Sequence, residues 1–241
     1  RNNRPSQVGQ KEMGWRTTSQ NLNLNRDYAK ADAPEMRAML KLLGEWDPIV
    51  YLDLHVTDGA KFRHGIAFLV EPTLQGAPEL LPLAKEFREE VLRKLDKAGH
   101  LPIGDFYPSF ETDDDPASGF AVYAAPPRFS TAYWAARNRI GVLVETHAWK
   151  DYATRVKSTR DAIVGSLEAV ATKGPALLEA AAKADASAAK LGGTSLAVVQ
   201  APSGPPRTLD FKGYSYKREP SAISGGTKIV YDERRPEVWK V

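Results

Sequence analysis

The chain has no cysteine. That excludes disulfide bridges, thiolate metal sites and a cysteine nucleophile. It has no apolar run near the roughly 18 residues that a membrane-spanning helix needs. Charge of one sign is also lacking: 33 basic side chains stand against 30 acidic ones, a net of +3. The basic residues are interspersed with acids, so no nucleic-acid partner is expected. Gly-x-Gly-x-x-Gly and the phosphate-binding loop are missing, as is the Gly-x-Ser-x-Gly elbow that presents a serine nucleophile. What remains is a chain of 241 residues, 42% apolar and 26% charged. That is globular composition, enough for one large domain or one domain with a small appendage.

Two short runs stand out. Ile49-Val-Tyr-Leu-Asp53-Leu-His55-Val56 is apolar at six of eight positions and ends near a histidine. Ile140-Gly-Val-Leu-Val-Glu145-Thr-His147 has the same design with a carboxylate near its end. Runs this dense predict strands buried on both faces of an α/β sheet. Ligands of such sheets sit beyond the carboxyl ends of the strands, so His55 and Glu145 are expected at one edge. Upstream, Asn25-Arg26-Asp27 forms a polar cluster. A guanidinium binds a carboxylate through two parallel hydrogen bonds, and an amide adds a donor.

Periodicity predicts the remaining elements. Asp32-Ala-Pro-Glu35 opens a helix, with Asp32 as its cap and Met36, Met39, Leu40 and Leu43 as its apolar stripe. Gly65 to Val70 reads as a short strand, and Pro78 to Lys97 as a long amphipathic helix. Asp113-Asp-Asp115 reads as an acidic turn, because its acids lack the alternating spacing of a calcium loop. Phe120 to Ala125 reads as a strand, and Thr131 to Arg139 as a short helix capped by Ser130. Asp151 to Leu191 is helical, with a break expected near Gly174-Pro175 and a loosely packed alanine-rich second half. Ser195 to Gln200 and Thr208 to Arg218 are strand-like. The division expected is 1–191 for the main domain and 192–241 for a β-rich appendage.

Three pieces together resemble the zinc metallocarboxypeptidase family, the carboxypeptidase A-like enzymes. Asn25-Arg26 resembles the family's carboxylate-binding pair. Asp53-Leu54-His55 resembles the strand end carrying a zinc ligand, and Leu143-Val-Glu145-Thr the strand end carrying the catalytic glutamate. The similarity runs from about Trp15 to about Val156. It implies an α/β fold with a mixed, largely parallel sheet flanked by helices, and hydrolysis of a C-terminal peptide bond. By the same resemblance zinc is the cofactor, His55 a metal ligand and Glu145 the general acid–base. Asn25 and Arg26 would hold the substrate carboxylate. Arg16 is either the arginine that polarises the scissile carbonyl or a surface residue. Tyr133 is a candidate for the family's substrate-facing tyrosine, with Tyr123 in competition, and packing is the alternative for both.

The chain departs from the family in one respect. Its four histidines are followed at the third position by Asp58, Ala67, Ile103 and Lys150, so the His-x-x-Glu pair that brings two further zinc ligands is missing. Truncation upstream is the expectation, with an inactive and self-associating fragment and a periplasmic or secreted parent. A ligating histidine needs an acceptor for its other ring nitrogen; Asp53 shares its face by period two. The rival readings are a zinc-dependent deacylase of N-acyl amino acids, which would also take a substrate with a free carboxylate, and a non-catalytic carboxylate-binding module.

Overall fold

The computed structural model describes residues 16–57, 59–74, 76–196 and 204–241. After a short 3₁₀ helix, Leu24–Arg26, come α1 (Pro34–Trp46), β1 (Val50–Val56), β2 (Ile66–Glu71), α2 (Leu81–Lys97) and β3 (Pro102–Ile103). Then follow α3 (Ser130–Ala136), β4 (Ile140–Thr146), α4 (Tyr152–Ala188) and a hairpin of β5 (Asp210–Pro220) and β6 (Thr227–Lys240). The fold is mixed α/β. The main sheet has the order β1-β4-β2-β3. β1 pairs with β4 in parallel, β2 with β3 in parallel, and β2 with β4 antiparallel.

β4 is the buried central strand that its composition predicts. β1 differs from expectation. It is an edge strand of intermediate burial, with Leu54 46% exposed. Its residues alternate: Val50, Leu52, Leu54 and Val56 face one way, Tyr51, Asp53 and His55 the other. Ile66, Phe68, Val70, Val142 and Val144 continue the first face, and α2 and α4 cover it with Phe87, Val91, Leu95 and Leu177. The opposite face is polar on β1 and apolar on β2 and β3.

α3 lies on that opposite face, over the entry of β4. Gly141 makes this approach possible. A Cβ there would stand 2.5 Å from the Thr131 carbonyl oxygen, so any side chain would push α3 off the sheet. Trp134 packs at a tilt against Tyr51, ring centroids 5.8 Å apart, and its indole N–H donates to the Pro48 carbonyl at 3.1 Å.

The caps differ from the predicted ones. Asp32 does not cap α1, which has no side-chain cap; Asp27 holds the turn before it, accepting from the Asp32 and Ala33 amides at 3.0 and 2.8 Å. Asp27 is buried, which stiffens the corner after Arg26. Ser130 does not cap α3, because its hydroxyl is turned to the sheet. Phe120 to Ala125 forms no strand, only a single bridge between Phe110 and Phe120. Asp115 caps the 3₁₀ helix Pro116–Ser118 and pairs with Arg218 at 3.1 Å.

α4 runs unbroken through Pro175. Its buried face is made of small residues, among them Gly165, Ser166, Ala169 and Gly174, which let it lie close to α2. The alanine-rich half is not loose. Ala180, Ala181 and Ala184 are buried against Leu80, and Arg139 pins the end of the helix by binding Asp185 at 3.1 Å and Asp47.

The hairpin docks on the apolar part of the sheet. Phe211 and Trp239 share one buried cluster with Phe62, Ala67 and Ile103. Trp239 lies over Gly213, where a Cβ would meet its ring at 2.1 Å. The strand expected over Ser195 to Gln200 lies mostly outside the described residues, since 197–203 are not among them.

Candidate active site

His55 and Glu145 are partners in the parallel register of β1 and β4. Partner positions on neighbouring parallel strands project to the same face, and this is the polar one. His55 Nδ1 stands 3.9 Å from Glu145 Oε1. The Glu145 side chain is 8% exposed and that of His55 24%, so both open on a recess rather than on open surface.

Asp53 supplies the third member. Its Oδ1 lies 2.9 Å from His55 Nε2, and Ser130 Oγ donates to its Oδ2 at 2.5 Å. The imidazole is therefore held by its Nε2, and Nδ1 is left facing Glu145. Burial acts to lower the His55 pKa, but the Asp53 hydrogen bond and the charges of Asp53 and Glu145 outweigh it, and the net direction is up. Burial acts to raise Asp53, and the bonds from His55 and Ser130 carry it below the ordinary carboxylate value.

Asn25 and Arg26 sit in the 3₁₀ helix Leu24–Arg26, whose cap is Asn23 accepting from the Asn25 amide at 3.1 Å. The segment is fastened to the site by Tyr28. The Tyr28 amide donates to the Arg128 carbonyl at 3.4 Å, and its hydroxyl lies 3.0 Å from that of Tyr51 on β1. Arg26 donates to the Asn25 carbonyl at 2.6 Å and lies over the Phe129 ring, 4.4 Å from its centroid. Burial and the like charges of Arg16 and Arg128 lower the Arg26 pKa. Arg16 is exposed, and its charge acts on both Arg26 and His55.

The fold thus brings His55 and Glu145 together on one polar face, and Arg26 joins it through Phe129, whose neighbour Ser130 binds Asp53. Tyr133 is placed differently. Its ring packs against Tyr28 at 5.8 Å and Trp134 at 6.4 Å, within the cluster around Met36. Tyr123 is exposed. Ser130, Arg128 and Phe129 escaped sequence reasoning; Ser130 read as a helix cap, and the other two lie in a loop without periodicity.

The other histidines are structural. His147 stacks on Phe62 at 3.9 Å, its Nε2 accepts from the Phe62 amide at 3.3 Å, and its Nδ1 lies 3.2 Å from Thr57 Oγ1. His64 accepts from the Lys212 amide at 3.3 Å and donates from Nδ1 to the Leu101 carbonyl at 2.9 Å. Burial, with nearby lysines, pushes His147 down to about 3 and His64 to about 4. His100 lies 2.8 Å from Asp161 and 3.0 Å from Ser158. That Ser-His-Asp grouping is no nucleophile, because Ser158 is fully buried within α4 and donates to the Thr154 carbonyl.

A catalytic zinc site takes three protein ligands and water. Among the described residues no group of three histidine or acidic side chains fits a metal. His55 has two features of such a ligand: an Nδ1 turned toward Glu145 and a carboxylate behind Nε2. The described residues therefore fit one position of such a site and do not complete it.

No protein-family model matches the chain, and a search of curated proteins finds no significant match. Among solved structures, the chain is similar to a metallo-carboxypeptidase from Burkholderia cenocepacia, with 14% identity and a TM-score of 0.41 over 71% of this chain and 40% of that one. It is also similar to two proteins classed by inference as metallopeptidases. The one from Shewanella amazonensis SB2B has 13% identity and a TM-score of 0.39 over 62% of this chain and 55% of that one. The one from Shewanella denitrificans OS217 has 15% identity and a TM-score of 0.36 over 62% and 53%. The chain spans between 40% and 55% of the length of these three structures.

Proposed function

We propose that this chain carries the carboxylate-anchoring and proton-transferring part of a zinc-dependent carboxypeptidase site. The observation that supports it most is the Asp53–His55–Glu145 grouping, with His55 Nδ1 turned to Glu145 and Nε2 held at 2.9 Å by Asp53. In this reading His55 is one of three zinc ligands, and the other two come from outside the described residues. Zinc, when bound, supplies a Lewis acid.

The chain's own groups then have distinct tasks. Arg26, with Asn25, holds the free carboxylate of the peptide's last residue and so sets which bond lies at the centre. Arg16 faces the scissile carbonyl and offsets the negative charge that grows on its oxygen. Glu145 takes a proton from the attacking water as the carbon–oxygen bond forms, and returns it to the leaving amine nitrogen as the carbon–nitrogen bond breaks. Such a general acid–base contributes about 10² to 10⁴-fold. Asp53 and Ser130 position His55.

Matched peptides with a free C-terminal acid and with a C-terminal amide test the reading in the zinc-loaded parent protein, in which the two remaining ligands are present. Release of the last residue from the free acid alone is the expected result. Equal cleavage of both, or internal cleavage, would contradict it.

A further inference from the structure

Two guanidinium groups share the ring of Phe129, the neighbour of Ser130, which binds Asp53 of the candidate site, and one carboxylate pairs with only one of them. Arg26 and Arg128 both lie over Phe129, with their Cζ atoms 4.4 and 5.1 Å from the ring centroid. The shared ring puts the two Cζ atoms within about 9.5 Å of each other, the sum of those distances. Arg16 adds a third charge, felt by Arg26 and by His55. The like charges that act on Arg26 are those of Arg16 and Arg128. Some other arginines pair with acids, as in Arg139 with Asp47 and Asp185, Arg88 with Asp105, and Arg218 with Asp115. Among the described residues Arg16, Arg26 and Arg128 make no such pair.

Clustered like charges repel one another, and an anion bound between them relieves that repulsion. A peptide's terminal carboxylate binds one guanidinium in the bidentate manner and leaves Arg128 unmatched. Arg128 is exposed and lies over Phe129, and Phe129 offers an apolar wall for a short methylene stem.

We propose that Arg128 is a specificity-determining residue that selects substrates whose last residue is acidic, so that the pocket takes two carboxylates, one on Arg26 and one on Arg128. This rests on the reading of Arg26 as a carboxylate anchor, and the test separates the two. NMR titration of the chain with N-acetyl-glutamate, N-acetyl-glutamine and N-acetyl-glutamine amide offers two, one and no carboxylates in nearly the same shape. The glutamate probe is expected to bind about tenfold tighter than the glutamine probe at low salt, the scale of one charge-assisted bond, and to lose that margin at high salt. Arg128→Gln is expected to bring the ratio to about one, and Arg128→Lys to restore part of it. Arg26→Gln is expected to weaken both acids. If glutamate binds no tighter than glutamine, or if Arg128→Gln keeps the preference, the proposal fails while the single-carboxylate anchor stands. If the amide binds as well as the acids, or none of the three binds, the anchor reading fails and the proposal with it.

Discussion

His55 and Glu145 meet across two parallel strands in matched register, with 3.9 Å between Nδ1 and Oε1. Neither is placed by a loop. Each depends on the hydrogen-bond ladder between β1 and β4, and β4 is the most enclosed strand of the sheet. The spacing is therefore a property of the fold.

Asp53→Asn is expected to lower the His55 pKa, because the acid that holds Nε2 is the largest influence raising it. The effect on stability has a defined window. The His55 pKa lies above its ordinary 6.5, so its contribution is full below that value and is lost as pH rises through the raised one. The Asp53 pKa lies below its ordinary 3.8, so its contribution is full above that value and is lost as pH falls through the lowered one. The stability gap between wild type and Asp53→Asn should be widest between these two ordinary values. An unchanged His55 titration by NMR would refute the pairing.

His64 and His147 act in the opposite sense. Both are held neutral, with Nε2 accepting a backbone N–H, and protonation would set two donors against each other. Their pKa values, about 4 and about 3, lie below the ordinary 6.5. The unfolded chain therefore binds more protons, and stability should fall as pH drops from 6.5 toward 4. Each histidine contributes a slope of up to about 1.4 kcal/mol per pH unit. His64→Gln should flatten the profile measured by chemical denaturation. A profile as steep as that of the wild type would contradict the assignment.

Arg26→Ala in the zinc-loaded parent protein should raise KM for free-acid peptides, by about tenfold for the loss of one charge-assisted contact. Amidated peptides should be poor substrates before and after. Equal losses on both would argue for a structural effect through Phe129.

Gly141→Val should destabilise the fold by about 1–3 kcal/mol, the usual cost of overpacking, because the new side chain meets the backbone of Thr131. It should also loosen the Ser130–Asp53 bond, since α3 carries Ser130. A melting scan, with the His55 titration as second readout, checks both. A variant with wild-type melting would show that α3 is free to shift.

The site was legible in the sequence where it rides on strands. His55 and Glu145 each sit near the end of a dense apolar run, and the period of two aligned Asp53 with His55 before any coordinates. That same period should have marked β1 as one-sided, since Tyr51, Asp53 and His55 alternate with Val50, Leu52, Leu54 and Val56. Density outweighed alternation, and the edge strand was read as a buried one. The loop residues were opaque for a physical reason. Arg128 and Phe129 are placed by long-range contacts, the Tyr28 amide among them, and no local pattern encodes such a contact. Ser130 has the signature of a cap, yet its hydroxyl serves Asp53. Pro175 misled in the same way, because continuous burial of α4 against α2 overrides a local helix breaker.

The central claim is that Glu145 moves the proton beside a metal held in part by His55. Hydrolysis of a free-acid peptide by the zinc-loaded parent protein and its Glu145→Gln variant, with zinc content measured on the same samples, tests it most directly. The account predicts a fall in kcat of about 10² to 10⁴-fold with zinc content unchanged. Undiminished turnover, or loss of zinc together with activity, would contradict it.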